Sequence, residues 1–204
     1  SALDVAAQAR GEPMQPITGG STIETLEREL TKYLVKSGHR TFIQEVEKKY
    51  VDVNVAEYIF SELDVDSIDF RPGVYRTIVE LYRQEWERLG VGVEVPTHLF
   101  VNHHDPDVSR VAVDLLTFDD NYTISDIWRK KEVHIESEEE QLTEGVPKAM
   151  MLYKGKVVEI KAEELMSRLN ESDLSEEELS NIMSALARIQ AVRVEISKMT
   201  NRPI

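Results

Sequence analysis

The chain has 204 residues, a formal net charge of −14 and no cysteine. Without cysteine it has no disulfide framework and no thiolate zinc or iron–sulfur site, so the cytosol is the expected compartment. No apolar run reaches the roughly 18 to 20 residues that cross a bilayer, and the acidic excess disfavours direct nucleic-acid binding, which depends on Lys and Arg. We therefore expect a protein or peptide partner and no membrane association.

Residues 1–20 are predicted to be a linker, because glycine and proline recur there without hydrophobic periodicity. The chain begins with Ser1 and not with Met, so we expect it to be a piece of a longer protein. Helix signals then run through almost all of the remaining chain. The first helix has a capping-box pattern at Ser21–Glu24 and a glycine stop at Gly38. Later helices are predicted to begin at Asn54, Pro72, Asp105 and near residue 125.

The last third of the chain opens on a second capping-box pattern, Ser137–Glu140. The apolar spacing that follows predicts one long helix or two helices nearly in line. Pro147 removes a backbone hydrogen bond and Gly155 has low helix propensity, so a kink or hinge is expected between residues 143 and 156.

The chain is predicted to end in an αα-hairpin with arms at about residues 153–169 and 175–200, separated by a polar turn. The predicted fold class is therefore all-α, with a multi-helix bundle followed by a C-terminal helical hairpin. The expected division is a linker at 1–20, a bundle at 21–152 and the hairpin at 153–204.

The final helix is more apolar than a two-helix hairpin needs. Its second stripe lies toward the end of the chain, where the shorter first arm offers little to pack against. The hairpin could fold back onto the bundle, or it could dock on a partner in the helix-in-groove manner. Exposed stripes would also allow a domain-swapped dimer. The two overlapping stripes are Leu179, Ile182, Leu186 and Ile189, then Ile189, Val192, Ile196 and Met199.

No group of residues predicts an active site, a metal site or a cofactor site. The aspartates at 64, 66 and 69 lie at a helix junction and are expected to be solvated or to cap helices. His103 and His104 are adjacent and point apart on most backbones, and Asp105 is already explained as a helix cap. Gly90–Gly92 is a turn signal and not a phosphate loop.

Several segments, taken in order, resemble the C-terminal region of bacterial DnaG-type primases as it occurs in Bacteroidetes. The resemblance covers about residues 22 to 200, and its weight comes from the number and order of the segments. These segments are residues 26–34, 55–59, 100–103, 105–109, 112–116, 125–130 and 146–149.

The resemblance implies a non-catalytic fragment. In that family the whole primase is a DNA-directed RNA polymerase. Its zinc domain and its polymerase core lie earlier in the polypeptide than the C-terminal region. The C-terminal region binds the N-terminal domain of the replicative DnaB-type helicase through a helical bundle and a helical hairpin, with the hairpin as the main docking element. The expected function is to recruit primase to the replication fork and to modulate the helicase.

On this hypothesis the second stripe of the final helix supplies the partner-binding residues, with a basic rim around it. Without the resemblance, the alternative is an acidic all-helical adaptor or scaffold that binds a basic or amphipathic peptide and is unrelated to replication. The expected contact residues are Val192, Arg193, Ile196, Lys198, Met199 and Arg202.

Overall fold

The computed structural model describes residues 22–46, 48–117, 137–170 and 174–200. These residues form seven α-helices and one two-stranded antiparallel sheet, so the predicted all-α class is confirmed, with a small β addition. No helix in these ranges has both the length and the apolar character needed to cross a membrane. In chain order the elements are α1 (Thr22–Ser37), β1 (Thr41–Val46), β2 (Lys49–Asn54), α2 (Val55–Val65), α3 (Val74–Leu89), α4 (His98–Val101), α5 (Pro106–Thr117), α6 (Glu138–Leu169) and α7 (Glu176–Thr200).

Helix α1 lies at the centre of the bundle, where it contacts α2, α3, α5 and α6. Its apolar residues recur every three or four positions, and Leu30 and Leu34 are almost completely buried. The helix ends before Gly38, as predicted, and the Gly38 amide donates to the Leu34 carbonyl at 3.0 Å. Ser21, the predicted cap, lies outside the described residues.

A β-hairpin that was not predicted from the sequence connects α1 to α2. In its register Phe42 of β1 lies opposite Val53 of β2. Phe42 is fully buried and makes an edge-to-face contact with Tyr58, with the ring centroids 5.4 Å apart. On the outer side of β1, the Ile43 amide donates to Thr143 Oγ1 of α6 at 3.3 Å. The hairpin therefore joins the bundle through α2 and through the first turns of α6.

Asn54 begins α2, as predicted. Its side-chain carbonyl accepts a hydrogen bond from the Glu57 amide at 3.0 Å, and its side-chain amide donates to the Arg40 carbonyl at 3.0 Å. The same side chain therefore caps the helix and holds the end of the β-hairpin. Helix α5 likewise begins at Pro106, as predicted, where the Asp105 carboxylate accepts the Asp107 amide at 2.9 Å.

Aromatic side chains fill the space between α2, α3 and α4. Phe60 of α2 lies against Trp86 of α3, with ring centroids 5.3 Å apart. Tyr82 of α3 stacks nearly parallel on Phe100 of α4, with an interplanar angle of 8°. Both Tyr82 and Phe100 are at most 2% exposed, so this cluster is a closed core.

Helix α6 is a single helix of 32 residues that passes through Pro147 and Gly155 without ending. It begins with the predicted capping box, in which the side chains of Ser137 and Glu140 each accept a hydrogen bond from the other residue's backbone amide. Of the two predicted alternatives, one long helix is therefore correct. The division expected between residues 152 and 153 falls inside this helix.

The short helix predicted near residue 125 lies outside the described residues.

Candidate partner-binding surface on the terminal hairpin

The residues that resemble ligand clusters in the sequence have other roles in the structure. Across residues 22–46, 48–117, 137–170 and 174–200, no group of three His, Cys, Asp or Glu side chains could hold a metal ion. The rings of His103 and His104 do not point apart as expected but lie in tilted contact, with centroids 4.1 Å apart. His103 Nδ1 accepts a hydrogen bond from the Asp105 amide at 3.2 Å. Asp64 pairs with Arg83, and Asp66 ends α2 and pairs with Lys154. These aspartates are therefore used in ion pairs between helices.

One recess lies between α2 and α3, lined in part by Phe60, Phe70 and Arg83, with a volume of about 50 Å³. That volume has room for only a few water molecules. Arg83 is already paired with Asp64 and lies over the Phe60 ring at 4.8 Å, and Arg76 is paired with Glu80 at 2.7 Å. The recess is much smaller than a usual ligand pocket, which measures about 300 to 1,000 Å³.

The terminal hairpin, which consists of α7 and the second half of α6, is fixed to the bundle at its base. Lys154 of α6 contacts the carboxylates of Glu62 and Asp66 at 2.5 Å each. Burial lowers the pKa of Lys154, but its hydrogen bonds to the two carboxylates outweigh burial and raise that pKa above its usual value. Lys154 thus stays charged and ties α6 to α2.

A second contact beside Lys154 ties α6 to the connection between α2 and α3. The Tyr153 hydroxyl donates to the Asp69 carbonyl at 3.3 Å, and burial is the main cause that raises the pKa of Tyr153. Next to it, the buried carboxylate of Glu27 accepts the Arg71 amide at 2.9 Å and contacts the Arg71 guanidinium. Because a buried carboxylate needs such partners, this region is held in one arrangement.

Helix α7 packs along α6, which is its main neighbour among the described elements. Ala162 of α6 and Ile182 of α7 are about 95% buried in this interface, and Leu186 and Ile189 of α7 are partly buried. The start of α7 is set by Ser175, whose amide donates to the Glu178 carboxylate at 2.9 Å. One side of α7 is therefore used within the hairpin.

A second apolar side of the hairpin remains exposed. Leu179, Met183 and Val194 of α7 are 45%, 57% and 45% exposed, and Met166 of α6 is 55% exposed. Large apolar side chains that are about half exposed on one helix pair suggest a surface that a partner covers. We call these four residues the hairpin face.

The four residues of the hairpin face lie on the same side of the two helices. Successive residues of an α-helix are rotated by about 100° around its axis. On α6, Met166 is rotated by about 40° from the buried Ala162. On α7, Leu179, Met183 and Val194 are rotated in the same sense by about 60 to 120° from the buried Ile182. In antiparallel helices the same sense of rotation leads to the same side of the pair. The hairpin face therefore follows one side of the hairpin, with the exposed Gln190 between Met183 and Val194.

The charges around the strip are unevenly distributed. The exposed carboxylates of Glu163 and Glu176 lie on the same side as the hairpin face, and so does the Lys156–Glu159 ion pair. By the same helical spacing, Arg168 and Arg188 lie on the opposite side of the hairpin, together with the exposed Glu164 and Glu177. The apolar strip therefore has an acidic border.

The structure describes only part of the predicted contact set. The backbones of Val192, Ile196, Lys198 and Met199 belong to α7, but their side chains, like Arg202 as a whole, lie outside the described residues. The sixth, Arg193, is partly buried, and its Nε has no hydrogen-bond partner among the described residues.

The exposed strip itself was not predicted. Leu179 and Ile182 were expected to share one stripe, but in the structure Leu179 is exposed and Ile182 is buried. The spacing of Leu179, Met183 and Val194 is the signal that could have separated the two sides.

A family model described as a domain of unknown function, DUF8430, matches residues 12–202. The matched range includes every described helix and strand, from Thr22 to Thr200. No curated protein and no solved structure matches the chain.

Proposed function

The chain belongs to the DUF8430 family, and we propose that it is the helicase-interaction module of a DNA primase. In this proposal it docks on the N-terminal domain of the replicative DnaB-type helicase. Two features support the proposal: the ordered segments that resemble the C-terminal region of DnaG-type primases, and a fold in which a helical bundle precedes a helical hairpin.

The hairpin face is the observation that favours a docking function most. A strip of exposed apolar side chains on a two-helix hairpin is costly in water unless a partner covers it. The hairpin is also fixed at its base by Lys154 and Tyr153. A docking surface on a fixed support loses less freedom on binding than one on a flexible arm, and this favours affinity.

Docking would recruit primase to the replication fork. Helix α6 runs from the bundle core into the hairpin, so a helicase bound at the hairpin would also be held at a defined position relative to the bundle. With a net charge of −14, the module would leave contacts with the template to other parts of the primase. It would act in the cytosol, and by itself it would catalyse no nucleotide transfer.

The last turns of α7 provide one test of the proposal. The double substitution Ile196→Asp and Met199→Asp tests the contact set predicted from the sequence, which is separate from the hairpin face. Desolvating the two new charges in an apolar interface should abolish binding to the helicase N-terminal domain, while far-ultraviolet circular dichroism shows that the bundle remains helical. Calorimetric titration is the measurement, and unchanged affinity of the double variant would remove these residues from the interface.

The adaptor alternative predicts a different pattern. An adaptor unrelated to replication would bind basic or amphipathic peptides but would form no complex with a hexameric helicase. Co-purification of the chain with the helicase therefore separates the two functions.

A further inference from the structure

We propose that the hairpin face binds an amphipathic α-helix whose apolar stripe is bordered by lysine or arginine. This inference rests on the proposed function for the identity of the protein that carries the helix. The chemistry of the bound helix, by contrast, follows from the shape and charge of the hairpin face.

The shape of the strip suits a helix. Leu179 and Val194 are separated by 15 residues, which at a rise of about 1.5 Å per residue is about 22 Å. Met166 extends the strip onto α6 beside Leu179, so the apolar surface spans the seam between two antiparallel helices. A third helix of about four turns laid along this seam would bury the strip by ordinary helix-to-helix packing.

The border of the strip determines the charge of the partner. Glu163 of α6 and Glu176 of α7 carry negative charge on the side of the hairpin face, where Lys156 is paired with Glu159 at 2.7 Å. A partner with acidic flanks would place like charges together at the rim, and a partner with basic flanks would place opposite charges there. The border therefore selects a basic helix.

Two synthetic peptides test this chemistry directly. They share one leucine stripe and one length of about 15 residues, but one has lysine and the other glutamate on both flanks. Binding to the full chain is measured by calorimetry at low and at physiological salt. The lysine peptide is expected to bind at least about tenfold more tightly than the glutamate peptide, with a preference that falls as salt rises.

Matched variants separate binding at the hairpin face from general attraction to an acidic protein. Met183→Asp and Asn181→Asp each add one negative charge to α7, the first on the hairpin face and the second away from it. General attraction would strengthen with either charge. Binding at the hairpin face is instead expected to weaken about tenfold with Met183→Asp and to stay nearly unchanged with Asn181→Asp. Leu179→Asp, in the exposed first turn of α7, is a second variant should Met183→Asp lose its helical signal.

The outcomes distinguish this inference from the proposed function. Equal binding of both peptides, or equal effects of the two aspartate variants, overturns the inference. If the lysine peptide binds as expected but the helicase N-terminal domain does not bind, the proposed function is wrong. The inference that the hairpin face binds a basic amphipathic helix is then still supported. If the helicase domain binds equally well to wild type and to Met183→Asp, the proposed function stands and the hairpin face is not its docking site.

Discussion

At the scale of single residues, Gly38 lies where no side chain fits. A Cβ atom at this position would overlap the Tyr82 hydroxyl and would lie 2.5 Å from the Leu34 carbonyl oxygen. Tyr82 is 2% exposed and stacked on Phe100, so it has little room to move away. The glycine after α1 therefore has a packing reason in addition to its role as a helix stop.

Gly38→Ala is expected to lower the free energy of unfolding by about 1 to 3 kcal/mol, because the methyl group overfills a closed core. Urea denaturation followed by circular dichroism measures the loss. In the Gly38→Ala background, Tyr82→Phe removes the overlapping hydroxyl and should recover part of the lost stability. An unchanged denaturation midpoint in Gly38→Ala would show that the contact is looser than described.

Glu178 gives α7 a start that depends on pH. Hydrogen bonds from the Ser175 amide and then from its hydroxyl lower the pKa of Glu178 below its usual 4.5. The pKa of Glu178 is lower in the folded state than in the unfolded state. Its ionised carboxylate therefore stabilises the fold fully at pH values above the unfolded-state pKa. This stabilisation is lost as the pH falls through the folded-state value.

The first turn of α7 is therefore expected to fray on acidification below about pH 4.5, the usual carboxyl range. Amide chemical shifts of residues 176–179 report this change. Glu178→Gln should remove the part of the transition that belongs to this carboxyl group. If the variant keeps the full wild-type pH dependence, another group causes the transition.

At the scale of elements, α7 depends mainly on a single neighbour, α6. Ile182 is 4% exposed and lies in that interface, whereas Met183, the next residue, is 57% exposed. Ile182→Ala is expected to cost about 2 kcal/mol, the lower end of the range for buried positions. The loss should appear as faster hydrogen exchange in α7, with exchange in α1 and α2 unchanged.

Met183→Ala is the matched control for Ile182→Ala. Because its side chain is already exposed, its effect on stability should stay within about 0.5 kcal/mol. If both substitutions accelerate hydrogen exchange in α7 equally, the burial of Ile182 is not what holds α7 on α6.

The helices could be predicted because their start and stop signals are local. Asn54, Asp105 and Ser137 each cap a helix through hydrogen bonds to residues two or three positions later, and such signals are visible in sequence.

The β-hairpin could not be predicted in the same way. Tyr50 and Val51 of β2 are 77% and 40% exposed, so polarity does not alternate cleanly along the strand. The connection between the strands includes Lys48 with a φ of 64°, in place of the glycine that usually marks such a turn.

The hairpin face could not be predicted from the sequence either. Helix α7 has apolar residues on two sides, and only the packing of α6 decides which side is buried. Leu179 and Ile182 are equally apolar in sequence, and the structure places them on different sides of the helix.

At the scale of the whole molecule, the acidic chain has a bundle with a closed core and a terminal hairpin with an open apolar strip. Helix α6 belongs to both, and Lys154 fixes it to α2 where the hairpin leaves the bundle. The described part of the chain presents no metal-binding cluster, and its exposed apolar strip is bordered by acidic groups. This arrangement suits a protein that acts by binding another protein.

Calorimetric titration of the chain into the N-terminal domain of the replicative helicase is the most direct test of the central proposal. The proposed function predicts a saturable complex with the full chain and none with a chain that ends after Leu169, whose bundle is checked by circular dichroism. The absence of a complex with the full chain, or an undiminished affinity after removal of α7, would contradict it.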